Sequence, residues 1–250
     1  MPHLPDSLAA RETAFFLDFD GTLVELAKTP DDVRLSARAR AILAGLAHAS
    51  NGAVALISGR SMDRLDTLLA PLKLPAAGLH GAERRAAHGA ISRIAVDRAP
   101  LIQMQQALEQ MVRAHPGCLL EHKGAALALH YRLARGDAQK IAQAALRAIE
   151  RLVAQAADQY TVQRGKMVFE IKPKQADKGR AIEAFLAEPP FAGRTPFFAG
   201  DDLTDEAGFV TVNARGGWSV KIGVGETTAR ARLASSSALF DWLERICHLK

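Results

Sequence analysis

The sequence predicts an α/β protein, a doubly wound parallel sheet core with an inserted α+β cap domain. Three observations predict it. Short apolar runs at 14–17, 53–57 and 196–199 each stop at a polar or acidic cluster, as strands buried on both faces do. Helical stripes alternate with these runs, as parallel crossovers require. From about 83 to 172 the texture changes to long helices and period-two strands. The expected bounds are therefore 1–82 with 173–250 for the core and 83–172 for the inserted module.

The first strand, 14–17, ends at Asp18-Phe19-Asp20-Gly21-Thr22. A polar stretch containing Pro30 follows, and Ser36 is placed to N-cap a helix carrying Ile42, Leu43 and Leu46 on one face. Asn51-Gly52 stops that helix. The second strand, 53–57, ends at Ser58-Gly59-Arg60, and a helix through Leu65, Leu68 and Leu69 follows. Another short strand ends near Leu79-His80-Gly81.

In the module a helix over 102–114 precedes the alternating run 126–132. A long helix then carries Ile141, Ala145, Ile149, Leu152, Val153 and Ala156 on one stripe. Two strand-like runs, 160–162 and 167–171, flank Arg164-Gly165. The core pattern resumes with a helix opened by Asp177-Lys178-Gly179. A third strand then ends at Asp201-Asp202, a strand follows near 220–223, and a helix begins at about Ser236.

With 250 residues, 48% of them hydrophobic and 24% charged, the chain is long enough for a core domain with an insertion. The net charge of +5 is scattered along helix faces, and aromatic residues are only 6%. Nucleic acid is therefore not an expected partner. No run of 18 apolar residues appears, so no membrane partner is expected. Residues 1–12 hold no apolar signal core, and Cys118 and Cys247 form no CxxC pair. The expected location is the cytoplasm and the expected state a monomer.

Two acidic clusters follow buried strands. Asp18 and Asp20 stand at i and i+2, and Asp201, Asp202, Asp205 and Glu206 crowd six positions. Like charges at close range repel. An acidic turn or a solvated helix start would explain either cluster alone. Together, on strand ends of one sheet, they suit oxygen ligation of a hard divalent cation such as Mg2+.

The set Asp-x-Asp-Gly-Thr, Ser-Gly-Arg, a lone Lys and Gly-Asp-Asp-x-x-Asp, in this order, resembles the haloacid-dehalogenase superfamily. The resemblance implies that Asp18 attacks phosphorus and that Asp20 is the general acid and then the base. It implies that Lys178 neutralises the nucleophile and the phosphate, with Thr22, Ser58 and Gly59 around the phosphoryl group. Mg2+ would be held by Asp18, Asp20 (through its carbonyl) and Asp201. Asp202 and Asp205 would support it, and which of the two does so stays open. Lys172 and Lys174 compete for the lysine role, but Lys178 stands at a helix start, where this superfamily places it.

Within the module, Glu121-His122-Lys123, His130-Tyr131-Arg132 and Phe169-Glu170-Ile171-Lys172-Pro173 resemble the trehalose-6-phosphate phosphatases. So do Leu79-His80-Gly81-Ala82-Glu83 and Gly-Asp-Asp-x-Thr-Asp-Glu. That resemblance implies a sugar-phosphate substrate, with Glu121, Lys123 and Glu170 on the sugar and Arg132 nearby. Arg60 and Glu83 are further site candidates, whereas His80 reads as structural. Other phosphatases of sucrose phosphate or hexose phosphates, and a phosphomutase, are the alternatives.

Overall fold

The computed structural model describes residues 4–5, 8–25, 32–134, 136, 138–165 and 167–247; Pro30 lies outside them. In chain order the elements begin with β1 (Thr13–Leu17), α1 (Ala37–Ala49), β2 (Val54–Ile57), α2 (Met62–Leu69), β3 (Ala76–Gly78), β4 (Glu83–Arg85) and β5 (Ile91–Arg93). The middle holds α3 (Ala99–Ala114), β6 (Leu119–His122), β7 (Leu127–His130), α4 (Ala138–Ala154), β8 (Tyr160–Gly165) and β9 (Val168–Pro173). The return holds α5 (Lys178–Leu186), β10 (Thr195–Gly200), α6 (Glu206–Ala214), β11 (Trp218–Ile222), β12 (Ala231–Leu233) and α7 (Ser236–Cys247). Two compact units result, residues 1–92 with 177–250, and residues 93–176.

The first unit is built on an eight-stranded sheet in the order β12-β11-β10-β1-β2-β3-β4-β5. From β12 to β3 every neighbouring pair is parallel, and β4 turns antiparallel against β3. Each face of the sheet buries its own cluster. Phe15, Leu17, Val54, Leu56 and Phe197 pack with residues of α1, α2 and α7, and Phe197 stacks on Trp242 at 4.9 Å. Phe16, Ala55, Ile57 and Phe198 pack on the other side with Ile182 and Phe185 of α5 and Phe209 and Val212 of α6. A strand buried on both faces cannot alternate apolar with polar, which is why β1 and β2 read as unbroken apolar runs.

Helix ends follow local chemistry. The Ser36 hydroxyl accepts from Ala39 N at 3.1 Å to start α1, and Asn51 and Gly52, both at positive φ, end it. The Asp177 carboxylate accepts from Arg180 N at 2.9 Å to start α5. The sequence expectation assigns residues 83–92 to the inserted module; here β4 and β5 extend the core sheet. Arg85 holds β4 in place, bonding Asp66 at 2.7 Å and the Leu74 carbonyl at 3.1 Å.

The second unit is a four-stranded antiparallel sheet, β6-β7-β9-β8, with two helices. Leu127, Leu129, Phe169, Ile171 and Tyr160 form one cluster with Leu101, Met104 and Leu108 of α3 and Ile149 and Val153 of α4. The strands have period two, so the alternate positions Ala128, His130 and Glu170 share the opposite, polar face. Among the described residues, no helix is long and apolar enough to cross a membrane.

Candidate active site

The parallel register sets the site. Leu17 pairs with Ala199 on one side and Leu56 on the other. One residue further on, Asp18 N donates to the Ala199 carbonyl at 2.9 Å, and Ser58 N donates to the Ala77 carbonyl at 2.8 Å. Asp18, Ser58 and Asp201 therefore emerge together at the carboxyl edge of the sheet, where open α/β sheets bind ligands. Two glycines let this edge close up. A Cβ on Gly21, which has φ +86°, would sit 2.3 Å from the Asp201 carboxylate, and one on Gly200 would sit 2.3 Å from Asp205 Cγ.

Lys178, the first residue of α5, is the hub. Its ammonium donates to Asp18 Oδ1 at 2.6 Å and to Asp205 Oδ1 at 2.6 Å. The three side chains are 3%, 5% and 0% exposed, respectively. Asp205 is itself held, since its Oδ2 accepts from Asp202 N at 2.9 Å. Burial disfavours the Lys178 ammonium, but Asp18 and Asp205 outweigh it and keep the group charged beyond its ordinary range. The Asp18 carboxyl is pushed well above the usual range, first by burial; Lys178 pulls it down, while Asp205 and Asp201 push it up.

Ligand oxygens of Asp18, Asp201 and Asp205 lie within 4.8 Å of one another. Two lysines, Lys178 on the carboxylates and Lys221 on the Asp201 carbonyl, do not balance three carboxylates, so a negative surplus is left at the sheet edge. Asp18 Oδ2 and Thr22 Oγ1 are buried with no hydrogen-bond partner. A buried polar atom without a partner is costly, and these two mark where a ligand belongs. Hard oxygen donors with excess negative charge fit a divalent cation.

The other expected residues take distinct places. Ser58 is buried, and its hydroxyl accepts from Arg60 N at 3.1 Å. Gly59 lies against the His80 ring, where a Cβ would come within 2.7 Å of Nε2. Arg60 forms a two-pronged pair with Asp20, Nε to Oδ2 and Nη2 to Oδ1, both at 2.7 Å. Asp202 is outside the carboxylate group; its Oδ1 accepts from Leu203 N at 2.8 Å and caps the 3-10 turn Leu203–Asp205. Glu83 accepts from Met62 N at 2.9 Å, capping α2.

The second unit gathers Glu121, Lys123, His130 and Glu170 on its polar face. Glu121 and Glu170 both pair with Ala128 across β7, so only a methyl group separates the two carboxylates in that row. Glu121 Oε2 lies 2.9 Å from His130 Nε2 and 3.8 Å from Lys123 Nζ, and Lys123 Nζ donates to Glu170 Oε1 at 3.4 Å. Burial works against the Glu121 carboxylate, yet the His130 hydrogen bond and Lys123 bring its pKa below the ordinary value. Arg132 is exposed on the turn after β7.

Two residues of these clusters were not anticipated. Lys221 is buried in β11 and donates to the Asp201 carbonyl. A lysine between Val220 and Ile222 in a buried strand is an anomaly that the sequence does display. His130 shares the face of Ala128 by simple alternation, which was enough to place it beside Glu121.

The family model "Trehalose-phosphatase" matches residues 16–240. The chain is similar to the "Trehalose-6-phosphate phosphatase" of Escherichia coli (strain K12), 47% identical over 233 residues, covering 93% of this chain and 86% of that protein. In fold it is similar to the C-terminal domain of the Candida albicans trehalose-6-phosphate phosphatase, with a TM-score of 0.84 at 23% identity, covering 96% of this chain and 93% of that one. It is also similar in fold to a haloacid dehalogenase-like hydrolase from Bacteroides thetaiotaomicron, with a TM-score of 0.63 at 17% identity, covering 93% and 98%.

Proposed function

The chain belongs to the trehalose-phosphatase family, and on that premise we propose that it hydrolyses trehalose 6-phosphate to trehalose and inorganic phosphate through an aspartyl-phosphate on Asp18. The observation that carries the chemistry is Asp18 itself, with one oxygen clamped by Lys178 and the other buried and unpartnered. The free oxygen is the one available to attack.

In the first half-reaction Asp18 Oδ2 forms a bond to phosphorus as the bond from phosphorus to the sugar oxygen breaks. Asp20 gives its proton to that leaving oxygen. In the second half-reaction water attacks the same phosphorus. Its proton goes to Asp20, the aspartyl bond breaks, and phosphate leaves with Asp18 restored. Lys178 offsets the charge of Asp18 and of the phosphoryl oxygens throughout. Thr22 Oγ1, buried without a partner, supports a role as hydrogen-bond donor to the phosphoryl group, and Ser58 and Gly59 flank it.

The cofactor that this reading implies is Mg2+, which Asp18, Asp201 and the Asp20 carbonyl would hold. Asp205 rather than Asp202 would support it, since among the described residues Asp205 belongs to the close carboxylate group and Asp202 does not. When bound, the ion supplies Lewis-acid polarisation of a phosphoryl oxygen. Glu121, Lys123 and Glu170 are the sugar-binding groups, a role that suits carboxylates and an ammonium gathered on one polar face. Sucrose phosphate and hexose phosphates are less favoured substrates, given the 47% identity to a trehalose-6-phosphate phosphatase. The route served is trehalose biosynthesis, and the compartment is the cytoplasm.

Phosphate release measured across a panel of sugar phosphates tests the reading. Trehalose 6-phosphate should give the highest kcat/KM, and a clear preference for another sugar phosphate would overturn the assignment.

A further inference from the structure

We infer that Arg60 is the positioning residue for Asp20, aiming the general acid through a guanidinium–carboxylate fork rather than binding the substrate phosphate. The inference rests on the acid role proposed above for Asp20. Three observations carry it, and all lie within the first unit.

Both Asp20 oxygens are engaged by Arg60, each at 2.7 Å. A bidentate fork fixes the carboxylate's plane as well as its distance, which a single contact does not. Arg60 is in turn fixed by the fold. Its N–H donates to Ser58 Oγ at 3.1 Å, and its carbonyl accepts from Leu79 N at 2.9 Å. Its guanidinium lies 5.8 Å from the centroid of the buried Phe19 ring, close enough for a cation–π contact. The side chain is only 11% exposed, whereas that of Asp20 is 32% exposed.

The asymmetry gives the direction of control. Arg60 is anchored to the ends of β2 and β3, while Asp20 stands in the turn after β1. Asp20 must meet the leaving oxygen and then the incoming water from one place. A rigid partner that holds both its oxygens provides that place without touching the reacting atoms. The Ser-Gly-Arg segment then has two tasks, with Ser58 beside the phosphoryl group and Arg60 behind the acid.

The test uses two substrates that differ in their need for an acid. The sugar oxygen of trehalose 6-phosphate leaves as an alkoxide unless protonated, whereas 4-nitrophenolate leaves 4-nitrophenyl phosphate without a proton. Wild type, Arg60→Ala, Arg60→Lys, Asp20→Asn and the Arg60→Ala/Asp20→Asn double variant are compared by kcat/KM, which reports the first phosphoryl transfer. Arg60→Ala should lose about 100-fold or more on the sugar phosphate and less than about tenfold on the aryl ester. Arg60→Lys, which keeps the charge but not the fork, should fall between Arg60→Ala and wild type. The double variant should be no worse than Asp20→Asn, because the two residues act as one unit.

Equal losses on both substrates, or losses that multiply in the double variant, would overturn the inference and return Arg60 to phosphate binding. Should Arg60→Ala fail to fold by thermal denaturation, Arg60→Lys decides by the same substrate split. Should Asp20→Asn itself show no leaving-group selectivity, the acid role falls and the inference with it. Selectivity in Asp20→Asn without selectivity in the Arg60 variants sinks the inference alone.

Discussion

Lys178 illustrates how a single side chain can be both structural and chemical. It is buried between two carboxylates at 2.6 Å, and removing it leaves both of them without their cation. Breaking a buried pair in this way costs about 3–5 kcal/mol, mostly as the desolvation of the group left behind. Lys178→Met should therefore lower the unfolding free energy by about 3 kcal/mol or more as well as abolish turnover, and denaturant titration in the presence of a chelator reads the first effect directly. Asp18→Asn separates the two functions. The amide still fills the volume, so the fold should persist by circular dichroism while turnover falls by at least about a thousandfold. Wild-type turnover in that variant would remove the nucleophile from Asp18.

At the scale of elements, the polar face of the second unit's sheet has measurable consequences. Glu121→Ala removes a charged hydrogen-bonding group worth about 1.5–3 kcal/mol. It should raise KM for trehalose 6-phosphate by roughly tenfold to a hundredfold while leaving a small aryl phosphate nearly unaffected; equal effects on both would deny a sugar-binding role. The same carboxylate contributes to the fold. Its folded pKa is lowered from 4.5, so its stabilisation is present above the unfolded value and is lost as the pH falls through the lower folded value. Glu121→Gln should accordingly be less stable than wild type near neutrality. The gap should close in acid, as seen by thermal unfolding at several pH values. Much of this layout was legible beforehand. Unbroken apolar runs located β1, β2 and β10 because both of their faces are buried, and Ser36, Asn51 and Asp177 marked helix ends through local hydrogen bonding. What was missed depended on distant partners. Glu83–Arg85 carries no apolar run, and it joins the core sheet through β3 and through the Arg85 bonds to Asp66 and Leu74. The Arg60–Asp20 fork likewise spans two strand ends that no local pattern connects.

Across the molecule, the first unit concentrates Asp18, Asp201 and Asp205 at one edge of a sheet whose two faces are both apolar clusters. The rest of the fold must hold three like charges close together against their repulsion, with the buried ammonium groups of Lys178 and Lys221 in compensation. A cation that binds there binds only the folded arrangement, because Asp18 at the end of β1 is far in sequence from Asp201 and Asp205, which follow β10. Such binding stabilises the fold by linkage, by about 2.7 kcal/mol at a hundredfold excess over Kd. Chelator-treated protein should therefore unfold at a higher temperature when Mg2+ is added, with no substrate present. Ca2+, which shares the preference for oxygen ligands, should compete. Asp201→Ala should lose most of this Mg2+-dependent shift, while Asp202→Ala, whose side chain caps a 3-10 turn, should keep the shift from a lower starting temperature. An unchanged unfolding temperature in wild type across a Mg2+ titration, or an equal shift in Asp201→Ala, would mean that the acidic edge serves Lys178 and the phosphate alone.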